Sequence, residues 1–113
     1  MVTIQDSNMY MVRGDTKAFA FEVEGLDQEF ESVKFSCKKK YSDKSYIFQK
    51  TLEDGISEVK DGKYIVRIAP EDTEDLPIGD YLYDLEIRAN GDVFTILRGK
   101  LKIVYDVTRE EEE

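Results

Sequence analysis

Apolar side chains recur at every second position through most of this chain, a period that matches strands and almost nowhere matches helices. In AFAFEVE, Phe19, Phe21 and Val23 share one face while Ala18, Ala20, Glu22 and Glu24 take the other. SVKFSCKKKY repeats the pattern, with Val33, Phe35 and Cys37 opposed by lysines. SYIFQK offers Tyr46 and Phe48, KYIVRIA offers Tyr64, Val66 and Ile68, and YLYDLEI aligns Tyr81, Tyr83, Leu85 and Ile87. Segments of this kind are half-buried antiparallel strands, packed on one face and wet on the other.

Turn chemistry marks the breaks. Asp61-Gly62 and Asn90-Gly91 are two-residue hairpin signals, because both central positions of that turn need a positive φ that Asn, Asp and Gly tolerate. Asp54-Gly55 supplies another turn before the short run ISEV. The run after Asn90-Gly91, DVFTILRGKLKIVYDVT, is too long for an undistorted strand, which predicts a bulge or bend at Arg98-Gly99. The same long strand is predicted to be an edge open to strand addition. In APEDTEDLPIG, Pro70 suits the first position of a helix, Glu71 and Asp72 suit its positive end, and Pro77 limits its length. One short helical turn near residues 70–76 is therefore predicted.

Seven to eight short strands spaced about ten residues apart, with no internal repeat or linker, indicate an all-β sandwich or small barrel. Leu76, Gly79 and Tyr81 have the spacing of a tyrosine corner, in which a Tyr at the start of a strand bonds back to the preceding connection. The expectation is an immunoglobulin-like antiparallel β-sandwich over residues 1–108, followed by an acidic tail at 109–113 that has nothing to bury and frays. The Cys pair and Trp of antibody domains are missing, which excludes that subclass alone. A chain of 113 residues buries about two-thirds of its unfolded surface, enough for one core. The residues with structural duties are Leu76, Gly79, Tyr81, Asp61, Gly62, Asn90, Gly91 and Gly99.

Chemistry finds little support. With no histidine, the chain lacks imidazole metal ligation, Ser-His and Cys-His nucleophile pairs, and the commonest general base. Among 25 acidic residues some pair sits at glycosidase spacing by accident, so that spacing carries no weight. Cys37 follows the inward parity of Val33 and Phe35 and reads as a buried, inert thiol. EDTED (residues 71–75) lacks the spacing of a calcium loop, and the glycines form no phosphate cradle. The RGD at Arg13 to Asp15 reads as a turn ahead of the strand at Ala18. No enzyme activity, cofactor or metal is expected.

The first fifteen residues contain no basic region followed by an apolar run, and no stretch approaches a membrane span. Synthesis in the cytoplasm, with no signal peptide and no membrane association, is the expectation. The formal charge of -9 argues against nucleic acid, whose binding is driven by Lys and Arg at phosphates. Residues 34–50 nevertheless carry six lysines against the single acid Asp43. Lys34, Lys38, Lys39, Lys40 and Lys44, with Tyr41 and Tyr46, form a candidate docking face for an acidic partner, another copy of the chain included. Tyr10, Tyr41, Tyr46 and Tyr105 are the rings that alternation does not assign to the core, and they are interface candidates.

Five stretches together carry a family likeness: RGDT (13–16), VKFSCKK (33–39), GKYIVRIAPEDTEDLPIGDYLYDLEI (62–87), GDVFTILRGKLKI (91–103) and DVT (106–108). They resemble small phage and prophage virion proteins, nearest to the immunoglobulin-like N-terminal modules of siphophage baseplate upper proteins. The resemblance implies a non-enzymatic assembly module that docks to other virion proteins and to copies of itself. No coiled-coil stem or receptor-binding region follows in this sequence, which favours a free-standing tail, neck or head accessory protein, destined for the virion. The rival expectation is a small carbohydrate-binding or adhesion sandwich, which requires exposed rings gathered in one groove.

Overall fold

The computed structural model describes residues 5–23, 30–60 and 62–106. Among these residues nine strands and one helical turn follow in order: β1 (Gln5–Asp6), β2 (Met9–Val12), β3 (Lys17–Glu22), β4 (Ser32–Lys38), β5 (Phe48–Leu52), β6 (Gly55–Lys60), β7 (Lys63–Ile68), α1 (Pro70–Thr73), β8 (Gly79–Ala89) and β9 (Asp92–Val104). β1 and β2 are two pieces of one edge, both lying parallel to β9, so eight strand positions result. The first sheet runs from that edge through β9, β8 and β4 to β5; the second runs β6, β7, β3. A tight turn carries the chain between them, where Thr51 and Leu52 pair in parallel with Gly55 and Ile56. These parallel contacts depart from a purely antiparallel expectation; all other neighbours are antiparallel.

Alternation explains why the two sheets face each other. Val33, Phe35 and Cys37 of β4, Tyr64, Val66 and Ile68 of β7, and Tyr81, Tyr83, Leu85 and Ile87 of β8 are all buried. Phe35 sits at the centre: its ring meets Phe19 of β3 edge-on across the sandwich at 5.5 Å, and Phe48 and Tyr83 within its own sheet at 6.2 and 5.4 Å. Tyr64 is stacked between Phe21 and Phe30 at 5.2 and 5.4 Å. Burying such rings contributes about 2 kcal/mol each.

The corner predicted by Leu76, Gly79 and Tyr81 is present. The Tyr81 hydroxyl donates to the Pro77 carbonyl at 2.6 Å, and burial raises the hydroxyl's pKa, so it stays a donor. Leu76 packs against the core, and its amide closes the turn after α1 onto Thr73 O at 3.0 Å. The helix is thus shorter than residues 70–76, with the remainder a turn. Asn90 and Gly91, at φ 55° and 83°, form the two-residue hairpin turn between β8 and β9. Gly62, at φ 77°, does the same before β7; its partner Asp61 lies outside the described residues, as do residues 109–113 of the expected tail.

Two expectations about β9 are corrected. The bulge is not at Arg98-Gly99 but at Ile96, where Leu85 pairs with Leu97 and Glu86 with Thr95. One extra residue switches the strand's parity, so Phe94 and Ile96 turn inward along with Leu97, Leu101 and Ile103. Gly99 serves another purpose: a Cβ there would lie 2.0 Å from the Ser7 carbonyl oxygen, where the chain passes between β1 and β2. That crossing is held by Ser7 N–H to Arg98 O at 2.8 Å, by the Tyr83 hydroxyl to Ser7 O at 2.5 Å, and by the Lys100 amide to Asn8 Oδ1 at 3.0 Å. β9 is also not the expected open edge, because β1 and β2 cover it on one side and β8 on the other.

Two substitutions test these contacts. Tyr81→Phe leaves the Pro77 carbonyl without its donor and is expected to lower stability by about 1 kcal/mol, read as a melting point several degrees lower. Gly99→Ala forces β1 and β2 off β9 and is expected to cost about 1–3 kcal/mol.

Candidate functional site

The outward side of the first sheet carries the arrangement best suited to recognition. Where Val33, Phe35 and Cys37 point in, Lys34 and Lys38 point out; where Tyr81, Tyr83 and Leu85 point in, Asp80, Asp84, Glu86 and Arg88 point out. Register then sets the cross-strand neighbours. Lys34 lies opposite Glu86, Ser36 opposite Asp84, and on the far side Asp84 opposite Arg98, Leu82 opposite Lys100 and Asp80 opposite Lys102. On β4, β8 and β9 the outward charges are Lys34, Lys38, Arg88, Arg98, Lys100 and Lys102 against Asp80, Asp84 and Glu86, so this face is net positive in a chain of charge -9.

Between β4 and β8 the face dips into a shallow groove of about 330 Å³, bordered by Lys34, Lys38, Tyr41, Tyr46, Gln49, Asp84 and Arg88. Tyr41 and Tyr46 are 69% and 51% exposed, which makes the groove's rim aromatic and polar together. Gln49 donates to Ser36 Oγ at 2.9 Å across β4 and β5, fixing part of the floor. Asp84 has its carboxyl raised above the ordinary carboxylate range, by partial desolvation first and by Glu86 second, with Lys38 and Arg98 opposing. Tyr10, 69% exposed, stands at the opposite margin beside Lys102.

The candidate docking residues do not act as one group. Lys34 and Lys38 are on β4 in the groove with Tyr41 and Tyr46. The Lys38 ammonium donates to Asp43 O at 2.7 Å and lies 5.3 Å from the Tyr46 ring centre, so it braces the β4–β5 connection. Lys39 is committed to the corner: it donates to Asp80 O at 3.1 Å and covers the Tyr81 ring at 4.5 Å. Lys40 and Lys44 are outside the groove, on the connection between β4 and β5. Lys50 is drawn away altogether, into a 2.7 Å ion pair with Asp72 of α1, whose carboxylate also accepts from the Ala69 amide. Alternation hides the contribution of Arg98, Lys100 and Lys102, since they become part of this face only through β9's register with β8.

The other motifs resolve structurally. In the RGD stretch, Arg13 pairs with Asp106 at 3.9 Å and stacks over Tyr105, and the Gly14 amide donates to the buried Thr73 hydroxyl at 2.8 Å. Gly14 has φ 81°, so this is the turn that glycine permits. Cys37 is fully buried, and desolvation pushes its thiol up to about 12.

No protein-family model matches the chain, and no curated protein matches it. Solved structures do. The extracellular domains of the voltage-gated sodium channel β4 subunit, described as parallel homodimers that explain its role in cell-cell adhesion, align over 95% of this chain and 98% of theirs, with a TM-score of 0.51 and 14% identity. The natural killer cell receptor NKp44, described as a triggering partner in natural cytotoxicity, aligns over 90% and 99%, with a TM-score of 0.51 and 16% identity. Sodium channel β subunits studied for multimeric cell-adhesive interactions align over 94% and 98%, with a TM-score of 0.50 and 12% identity. At such identities the likeness is one of fold: the chain is an immunoglobulin-like β-sandwich, with β5 extending the β9–β8–β4 sheet.

Two measurements check the local chemistry. The Cys37 thiol is expected to resist a thiol reagent in the native protein and to react fully in denaturant. Because Asp84 binds its proton more tightly when folded than when unfolded, its contribution to stability is present at low pH and lost as pH rises through its raised pKa. Asp84→Asn is therefore expected to raise the melting point near neutral pH, with the gain vanishing below about pH 3.9.

Proposed function

We propose that this protein is a non-enzymatic docking module that recognises protein partners through the outward face of its first sheet. The observation that carries the reading is the joining of a net positive, tyrosine-bordered face to a core packed from the inward rows of β4, β7 and β8. Tyr and Arg are the residues interfaces favour. Five strands spaced about 4.8 Å apart and a central strand of about 36 Å give a face of ~700 Å², close to the ~800 Å² per partner of a standard interface. Solved structures of similar fold include adhesion and receptor domains, which supports a protein-binding role.

The finer assignment is a phage or prophage virion component, in the tail, baseplate or neck, made in the cytoplasm and then built into the particle. Its support is the resemblance carried by RGDT, the tyrosine-corner segment and the long last strand. The test is capture of the product of an adjacent tail or neck gene by the purified protein. Lys34→Glu with Lys100→Glu is expected to weaken that capture at least about tenfold while leaving the circular dichroism spectrum unchanged. Failure to bind any virion protein would contradict the assignment.

A carbohydrate-binding reading has one observation in its favour, the presence of Tyr41 and Tyr46 at a single groove. Against it, Lys38 already lies against the Tyr46 ring. A glycan array separates the two: binding that is lost in Tyr41→Ala and untouched by Lys34→Glu supports the sugar.

A further inference from the structure

A second surface complements the sheet face. α1 crosses the end of the sandwich between β7 and β8, and there Glu71, Glu74 and Asp75 are exposed. Asp15 joins them, because the Gly14 amide is tied to Thr73 and Gly14 lies against Glu74. None of these four carboxylates makes an ion pair among the described residues. The remaining acid of residues 71–75, Asp72, is neutralised internally by Lys50. One molecule therefore presents a net positive sheet face and, on a different surface, an acidic end.

We propose that the occupant of the sheet face is a second copy of this chain, presenting its acidic end. This rests on the docking reading above and names the partner. The choice of a second copy follows from charge. Since the outward strands carry net positive charge and the chain carries -9, the remainder of each molecule is strongly acidic. Face against face and end against end both oppose like charge, while end against face pairs unlike charge and steers the approach. The carboxylates of Glu74 and Asp75 meet Lys34, Lys100 and Lys102, and Tyr10, Tyr41 and Tyr46 supply apolar area at the margins.

The two patches are different, so the contact is heterologous. Each molecule keeps an unused face or end after one contact, and association continues to a closed ring or an open filament and does not stop at a two-fold dimer. Because the contacts are solvent-accessible ion pairs, added salt screens them.

Sedimentation velocity on the whole chain, from about 10 μM to about 1 mM and in about 50 mM and 500 mM salt, reads the outcome directly. The expected result is a mass that grows past dimer with concentration at low salt and returns to monomer at high salt. A face variant, Lys34→Glu with Lys100→Glu, and an end variant neutralised by Glu74→Gln with Asp75→Asn, are each expected to stay monomeric. Mixed together, they restore one intact face and one intact end and form a 1:1 pair that grows no further. A wild-type protein that is monomeric throughout, or a stable dimer unaffected by either variant, overturns the proposal. Loss of growth in the variants with no 1:1 pair on mixing overturns it too. Capture of a virion protein by a monomeric wild type, lost in the face variant, leaves the docking reading standing while this inference fails.

Discussion

Everything in this sandwich depends on the parity of β8. It is paired along its whole length with β9 and from Leu82 to Arg88 with β4, so which of its residues point inward decides which residues of its neighbours do. A slip by one position would bury Asp80, Asp84 and Glu86 and expose Tyr81, Tyr83 and Leu85. The bond from the Tyr81 hydroxyl to Pro77 ties the start of the strand to the connection before it. The Asn90-Gly91 turn ties its end. With β8 pinned at both ends, the row from Tyr81 to Ile87 meets Phe35, and the second sheet closes over them.

The same pinning produces the charged face. Lys34, Asp84 and Arg98 are far apart in sequence and become neighbours across three strands because their inward-facing neighbours Phe35, Leu85 and Leu97 pack together. The core tolerates this surface, since none of the outward charges enters it, and the surface is free to vary without touching the rings beneath. Surface ion pairs of this sort contribute little to stability. They decide how and with what the molecule meets its neighbours.

Most of the strands were legible in the sequence because two-residue alternation is local: Val33, Phe35 and Cys37 announce their face without reference to anything distant. The corner at Tyr81 and the hairpin at Asn90-Gly91 were legible for the same reason. What escaped depends on contacts between distant segments. Gly99 looked like a bulge because glycine in a strand often marks one, whereas its reason is Ser7, ninety-two positions earlier, crossing close over it. The bulge itself had a signal in the adjacent apolar pair Ile96-Leu97, where the period breaks. The basic face was half legible: the lysines of β4 stand together in sequence, while those of β9 reach it only through strand pairing, and Lys39 and Lys50 are diverted to structural partners.

The separation of a packing side from a recognition side is the central claim, and lysine acetylation read by mass spectrometry tests it most directly. The assembled or partner-bound protein is labelled beside the dispersed protein, with lysines on the two sheets as mutual controls. Lys34, Lys38, Lys100 and Lys102 are expected to be protected on association, while Lys60 and Lys63, at the β6–β7 hairpin of the other sheet, react as before. Protection of Lys60 and Lys63 with the first sheet left reactive would contradict it.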